Sequence, residues 1–308
     1  MRIIKDCIYK YVKVSALCEA FLDQPEFQRL RRIKQLGNVH RVYPSATHTR
    51  FEHSIGVMHL AGKVAKQLKI DERTTDLLKL AGLYHDIGHM PYSHLFDKVL
   101  HIIKPDGVLL EHEDRSVQTF LKVSKRLKLL TEQEELFVCA CIKGDPLEDY
   151  DPYLFQIITG GVESDRLDYL QRDPYHTGMP SFQANYIIQN MSINKDKNIC
   201  FNIKAKEDIK DLFETRRRMH ELVYQHKCSI KYDTMYMCMI LKVKDELDYN
   251  ELCDYKLETL LMSHPKTKDI YAQIESRCKD HDELCHEQCP KVLKRVYDSY
   301  NIDQIIWS

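Results

Sequence analysis

The sequence predicts a mainly α protein with one small β-hairpin. Only 10 Gly and 10 Pro interrupt 308 residues, leaving long stretches that a helix can occupy. Within those stretches apolar residues recur three and four positions apart, the period of an amphipathic helix. Near-continuous apolar content with alternation occurs once, where YIIQNMSI and ICFNIKA flank the polar turn NKDKN, the pattern of a hairpin.

In chain order, Ile55, Met58, Ala61, Ala65 and Leu68 form one stripe over residues 54–68, with Lys63 and Lys66 off it. Thr131 and Glu134 have the spacing of a capping box and lead into LFVCACI, a further helix. The hairpin follows, then a long helical stretch from about Lys206 to Val243, then a charged helical C-terminal region. No internal repeat or low-complexity segment interrupts this plan.

The chain is long enough for one large domain, or for a core with a small appendage. Lys and Arg total 45 against 46 Asp and Glu, so a formal net charge of -1 excludes any global attraction to nucleic acid or anionic membrane. Any anion site must be local. No apolar run approaches the ~20 residues that span a bilayer, and MRIIKDCIYKYVKV lacks the apolar core of a signal peptide. The expectation is an intracellular protein, cytoplasmic or nuclear. Eleven cysteines form no disulfide framework and read mostly as small buried hydrophobes.

The chemistry concentrates in LAGLYHDIGHMPYSHLFD, Leu80 to Asp97. His85 and Asp86 stand side by side at the end of an apolar helix, with His89, His94 and Asp97 within about three turns. Imidazole and carboxylate are both good ligands for a divalent metal, but two ligands do not hold a catalytic ion. His53, in RFEHSIGV, and Asp165, in VESDRLDYL, are the natural partners. A lone His-Asp dipeptide carries little weight; the ordered pattern carries more. Arg50, Arg166 and Arg216 offer forked donors for phosphate oxygens, and Lys227 a point charge. Arg216, His220 and Tyr224 lie four apart and would rise along one helical face to line a pocket, whereas Arg217 and Arg218 point elsewhere, as solvated or partner-facing charges. Cys278, His281, Cys285 and Cys289 are zinc-ligand types, yet four ligands on one straight helix cannot converge tetrahedrally, so packing sulfurs are expected there.

Six segments carry a resemblance: PEFQRLRRIKQLG (Pro25 to Gly37), THTRFEHSIGV (Thr47 to Val57), HDIGHMPYSHLFD (His85 to Asp97), EHED (Glu111 to Asp114), ESDRLDYLQRD (Glu163 to Asp173) and LFETRRRMHELVYQHK (Leu212 to Lys227). In order and spacing they resemble the HD-domain superfamily, and within it the dNTP triphosphohydrolases that carry a sterile-alpha-motif domain in vertebrates. The resemblance implies an HD-type helical catalytic domain over residues 1–245, with the hairpin as an insertion, and a short helical C-terminal region over 246–308. It implies that His53, His85, Asp86 and Asp165 hold one divalent metal (Fe, Mn, Zn or Mg), with Mg on the substrate phosphates, and that water attacks the α-phosphate.

By the same resemblance His94, hydrogen-bonded to Asp97, would protonate the leaving 5′-oxygen, while His89 and His112 contact the α-phosphate and Glu113 orients His112. For Asp97 the alternative is an acid on the helix surface. Gln35 and Asp173 would bond the 3′-hydroxyl, Tyr169 would stack on the sugar, and Leu36 with Tyr224 would exclude a 2′-hydroxyl. Nothing points to base-edge reading, so breadth across bases is expected. Asp23, Gln28 and Arg31 resemble part of a guanine-nucleotide activator site; Asn185 and Asn202, however, stand where the family has arginines, although Lys204 is kept. Little or no dependence on an activator nucleotide is therefore expected, in a homo-oligomer (dimer or tetramer) with no sterile-alpha-motif domain. Two rival readings are another HD reaction (5′-nucleotidase, phosphodiesterase or alarmone hydrolase) and a non-catalytic nucleotide or single-stranded nucleic acid binder. The first has no need of the Arg216, His220, Tyr224 face, and the second predicts a basic, aromatic-lined groove.

Overall fold

In a computed structural model of the chain, residues 2–104, 110–249, 252–276 and 305–307 are described. The chain opens with an antiparallel hairpin, β1 (Arg2–Asp6) and β2 (Lys10–Val14), in register from Arg2 opposite Val14 to Asp6 opposite Lys10. Sequence reasoning missed it, because strands this short and this rich in lysine show little alternation. Its turn is closed by the Asp6 carboxylate, which accepts from the backbone of Ile8 and Tyr9 at 2.8 and 2.9 Å.

Fourteen helices follow among the described residues. α1 (Ala16–Leu22) and α2 (Pro25–Gln28) lead into α3 (Arg50–Gln67) and α4 (Glu72–Tyr84). Then come α5 (His94–Ile103), α6 (His112–Leu127), α7 (Glu132–Lys143), α8 (Pro152–Gln156) and α9 (Ser164–Thr177). α3 is the central element, packed on α4 and α9. Ile55, Met58, Ala61 and Ala65 are buried along it as their spacing requires. It begins at Arg50, before the expected stripe, which brings Arg50 and His53 into its first turn. α7 carries the expected capping box: Thr131 Oγ1 accepts from Glu134 N at 3.3 Å, and Glu134 Oε2 accepts from Thr131 N at 2.9 Å.

The hairpin near residue 195 is present but shorter than expected. β3 (Met191–Ile193) pairs with β4 (Ile199–Phe201), while YIIQ belongs to α10 (Ala184–Gln189). Ala184, Ile187 and Ile188 bury one helical face, and a run this short fits either period. The expected continuous helix is also divided, into α11 (Lys206–Arg218), a π turn (Met219–Tyr224) and α12 (Lys227–Lys242). α13 (Asp254–Ser263) and α14 (Lys268–Ser276) close the described chain. With α5 and α12 they share an apolar cluster containing Tyr92, Phe96, Val99, Tyr236, Met239, Leu257 and Leu261. The body of the protein forms a separate, larger cluster around α3.

Cys18, Cys139, Cys141, Cys200 and Cys253 are buried as expected, whereas Cys7 and Cys228 are exposed. Cys278, His281, Cys285 and Cys289 lie outside the described residues. No helix among the described residues is long and apolar enough to cross a membrane.

On α3, His59 meets the Tyr9 ring at 4.8 Å between centroids. Burial, with Lys63 nearby, pushes its imidazole down to about 4. The unfolded chain, with a histidine near ~6.5, therefore binds the extra proton between those values, and stability falls as pH drops through that window. His59→Gln is expected to flatten the fall. The check is the urea midpoint at pH 7 and pH 5, which converges for the variant and diverges for the native chain.

Candidate active site

Three separate elements deliver one cluster. His53 comes from the first turn of α3, His85 and Asp86 from the end of α4, and Asp165 from the first turn of α9. The turn after Asp86 lies flush on α6: a Cβ on Gly88 would meet His112 O at 2.2 Å and Ser116 N at 2.5 Å, so only glycine permits the approach.

His53 Nε2 lies 2.9 Å from Asp165 Oδ1 and 3.4 Å from Asp86 Oδ2. His85 Nε2 lies 3.4 Å from Asp86 Oδ1 and 3.5 Å from Asp165 Oδ1. Ligand atoms ~2.1 Å from one ion stand about 3 Å apart at neighbouring positions, so these spacings suit a shared cation. His85 Nε2 is buried with no hydrogen-bond partner, which an ion would satisfy. Burial disfavours charge on His53, yet Asp165 and Asp168 outweigh it and push the imidazole up to about 10. The pocket thus draws a positive charge. The Asp165 side chain is 31% exposed and opens the cluster to solvent, while His53 and Asp86 are sealed.

Both imidazoles are oriented from behind. His85 Nδ1 lies 2.9 Å from Gly82 O, and His53 Nδ1 lies 2.8 Å from Asp168 Oδ2. Each contact sets the tautomer that frees Nε2 for a ligand bond. Asp168 in turn accepts from Arg172 Nε and Nη2, both at 2.9 Å, and from the Tyr9 hydroxyl at 2.8 Å. Sequence reasoning missed Asp168, Arg172 and Tyr9. Asp165, Asp168 and Arg172 share one face of α9, which was the available signal.

Beside this cluster lies a second one, of His89, His94, Asp97 and His112, whose ligand-type atoms all fall within 4.8 Å of one another. The His89 and His112 rings stack at 3.9 Å. Both His89 nitrogens are buried and without hydrogen-bond partners. Burial holds His112 down at about 4, and burial with nearby Arg50 holds His89 well below the usual histidine range. His94 is 47% exposed and faces outward. Asp97 is buried, not a surface acid; it lies 3.5 Å from His94 Nδ1 and accepts from Arg115 Nη2. Glu113 Oε2 lies 3.2 Å from His112 Nδ1.

The remaining residues named from sequence divide. Arg50 is committed internally: it donates to Asp86 Oδ2 and, at 2.7 Å, to Ser93 Oγ. Arg166 Nη1 donates to Gly161 O at 2.6 Å and Arg166 Nη2 lies 3.3 Å from Glu163. Asp173 is buried, accepting from Tyr224 Oη at 2.6 Å and lying 2.8 Å from His48 Nε2. Gln35 Oε1 is buried and unpartnered, with Leu36 buried beside it in the chain. Tyr169 is half-buried on α9. Arg216 is buried, and His220 and Tyr224 lie in the π turn, where their rings meet edge to face at 5.1 Å. Lys227 is exposed at the start of α12. Arg217 is exposed and paired with Glu214 and Glu221, as expected of a solvated charge.

A further clamp was invisible in the sequence. The buried Asp254 of α13 accepts from Lys34 N at 2.9 Å and from Tyr92 N at 3.0 Å. It joins the segment before Gln35 to the turn at Tyr92 and Ser93, whose φ values of 57° and 56° are left-handed.

Asp23, Gln28 and Arg31 line one cavity of about 450 Å³, but these three side chains are already paired. Asp23 accepts from Arg2 at 2.6 and 2.8 Å, Arg31 donates to Gln28 at 2.8 Å, and the Arg31 guanidinium lies 3.5 Å above the Phe51 ring. Asn185 accepts from Lys63 at 2.7 Å, and Asn202 caps the backbone of Lys204 at 3.0 Å.

Residues 50–148 match the HD domain family, and the chain belongs to the HD-domain superfamily. It is 33% identical over 286 residues to the deoxynucleoside triphosphate triphosphohydrolase SAMHD1 of Bos taurus, covering 80% of this chain and 48% of that protein. With SAMHD1 of Homo sapiens it is 32% identical over 338 aligned residues, covering 90% and 54%. A SAMHD1 homolog of Dictyostelium discoideum is 32% identical over 265 residues, covering 80% and 51%. The chain therefore spans about half the length of the curated relatives it matches.

Proposed function

We propose that this chain is a metal-dependent dNTP triphosphohydrolase, converting a deoxynucleoside triphosphate into deoxynucleoside and inorganic triphosphate. The observation that carries the reading is the convergence of His53, His85, Asp86 and Asp165 beside a second, histidine-rich cluster. The triphosphohydrolase activity that its relatives are named for supports it. The four residues would hold one divalent ion, which when bound supplies Lewis-acid polarisation of the α-phosphate and a lowered pKa for water.

The chain's own residues do the rest. His89 has two buried nitrogens without a hydrogen bond, Nε2 lying 3.3 Å from Asp86 Oδ1, and with His112 it would hydrogen-bond an α-phosphate oxygen. Glu113 orients His112. His94, half-exposed and 3.5 Å from Asp97, would deliver a proton to the leaving 5′-oxygen. Arg166, Arg216, His220 and Lys227 would bind the outer phosphates, and Arg50 would act by holding Asp86. Asp173, fixed by His48 and Tyr224, and Gln35 would receive the 3′-hydroxyl. Tyr169 would stack on the sugar, while Leu36 and Tyr224 close the 2′ side. Breadth across bases, a homo-oligomer, Mg on the phosphates and weak or absent activation belong to this reading. The internal pairing of Asp23, Gln28 and Arg31 favours the last of these, and added GTP or dGTP is expected to raise hydrolysis of another dNTP less than tenfold.

The test is anion-exchange analysis of products after incubating purified, metal-analysed protein with dGTP and with GTP. Triphosphate is expected from dGTP, at least ~100-fold faster than from GTP, and Asp86→Ala is expected to lower the rate ~10³-fold or more. Release of mono- or diphosphate would instead favour another HD reaction.

A further inference from the structure

The N-terminal hairpin reaches the rear of the ligand cluster. Tyr9, at the hairpin's turn, donates its hydroxyl to Asp168 Oδ1 at 2.8 Å, and Asp168 holds His53 Nδ1 at 2.8 Å through its other oxygen. Asp6 has two tasks in that turn. Its Oδ1 accepts from Ile8 N and Tyr9 N, setting the turn that aims Tyr9, and its Oδ2 accepts from Arg172 Nη1 at 2.9 Å. Arg172 is fully buried and braces both Asp168 oxygens. Asp168 thus receives four donors from three parts of the chain, and one of them belongs to the hairpin. Tyr9 also packs its ring on His59 of α3, so its hydroxyl is fixed from two sides.

We infer that the hairpin is a metal-holding element: Tyr9, docked behind Asp168, sets the orientation of His53 and with it the affinity of the cluster for its divalent ion. The inference rests on the metal-centre reading given above. Physically, a carboxylate that loses one of its donors is freer to rotate. The imidazole it orients then spends less time aimed at the ion. Groups directly behind a ligand typically change metal affinity 10–100-fold, so a group one step further back is expected to change it about three- to tenfold. Tyr9 is a positioning residue in this arrangement and touches neither substrate nor metal.

The experiment uses the full chain, stripped of metal and titrated with Mn²⁺, with bound ion followed by its electron paramagnetic resonance signal and by calorimetry. Four proteins are compared: native, Tyr9→Phe, Asp168→Asn and the double variant. Tyr9→Phe keeps the ring on His59 and is expected to retain the native far-UV circular dichroism. It is expected to bind Mn²⁺ about three- to tenfold more weakly than native, and Asp168→Asn more weakly still. In the double variant Tyr9→Phe is expected to add nothing further, because its effect runs through Asp168; a general loosening of the fold would add in both backgrounds. Native affinity in Tyr9→Phe, or full additivity in the double variant, overturns the hairpin's role while leaving the metal centre intact. Failure of the native chain to bind the ion overturns both. The readout requires no turnover, so failure of the proposed reaction is separately visible.

Discussion

Gly56→Ala is expected to destabilise the protein by about 3–5 kcal/mol and to lower metal affinity at least tenfold. A Cβ at position 56 would lie 1.8 Å from Asp168 Oδ1 and 2.6 Å from Arg172 Nη2. Neither atom can retreat, because both side chains are fully buried and bonded to each other and to the hairpin. Glycine at this position is what lets α3 approach α9 closely enough for Asp168 to stand behind His53. Alanine is favoured over glycine within a helix by about 1 kcal/mol, so propensity alone predicts a stabilised variant. The opposing effects are decided by urea unfolding with and without Mn²⁺. A neutral or stabilised variant would mean that Asp168 is not seated against α3.

The second large effect is expected at Asp254. Asp254→Ala removes the acceptor for the buried backbone N–H of Tyr92, at about 1–3 kcal/mol, and for the part-buried N–H of Lys34, at the lower end of that range. Asp254→Asn keeps one acceptor oxygen and is expected to lose about half as much. The clamp joins two segments that the proposed reaction uses, the chain ahead of Gln35 and Leu36 and the left-handed turn ahead of His94. On the proposed function, therefore, kcat/KM for dGTP falls in both variants, and the preference for dGTP over GTP narrows. An Asp254→Ala protein with native stability and native sugar preference would show that the clamp positions nothing.

The parts of the site legible in the sequence are those whose residue types announce themselves. His53, His85, Asp86 and Asp165 were nameable because ligand chemistry admits few residue types, and the folded chain brings them together. The helices followed for a similar reason: the α3 stripe and the Thr131 to Glu134 cap are local patterns that packing reinforces. What escaped is what depends on contact between distant segments. Asp168 has no ligand spacing of its own and is defined by what stands in front of it. Tyr9 lies 159 positions from its acceptor, and Asp254 joins backbone groups 220 and 162 positions away; no periodicity reports such partners. That Arg50 also ties Asp86 to Ser93 was equally illegible, because neither contact has a signature in the sequence. The π turn at Met219–Tyr224, which divides the expected helical stretch, likewise leaves no mark in the residue spacing.

Anomalous diffraction at the manganese edge from crystals equilibrated with Mn²⁺ tests the central claim most directly. The expected result is one ion about 2.0–2.3 Å from His53 Nε2, His85 Nε2 and a carboxylate oxygen each of Asp86 and Asp165. An ion seated instead among His89, His94, Asp97 and His112, the neighbouring cluster of ligand-type atoms, would contradict it.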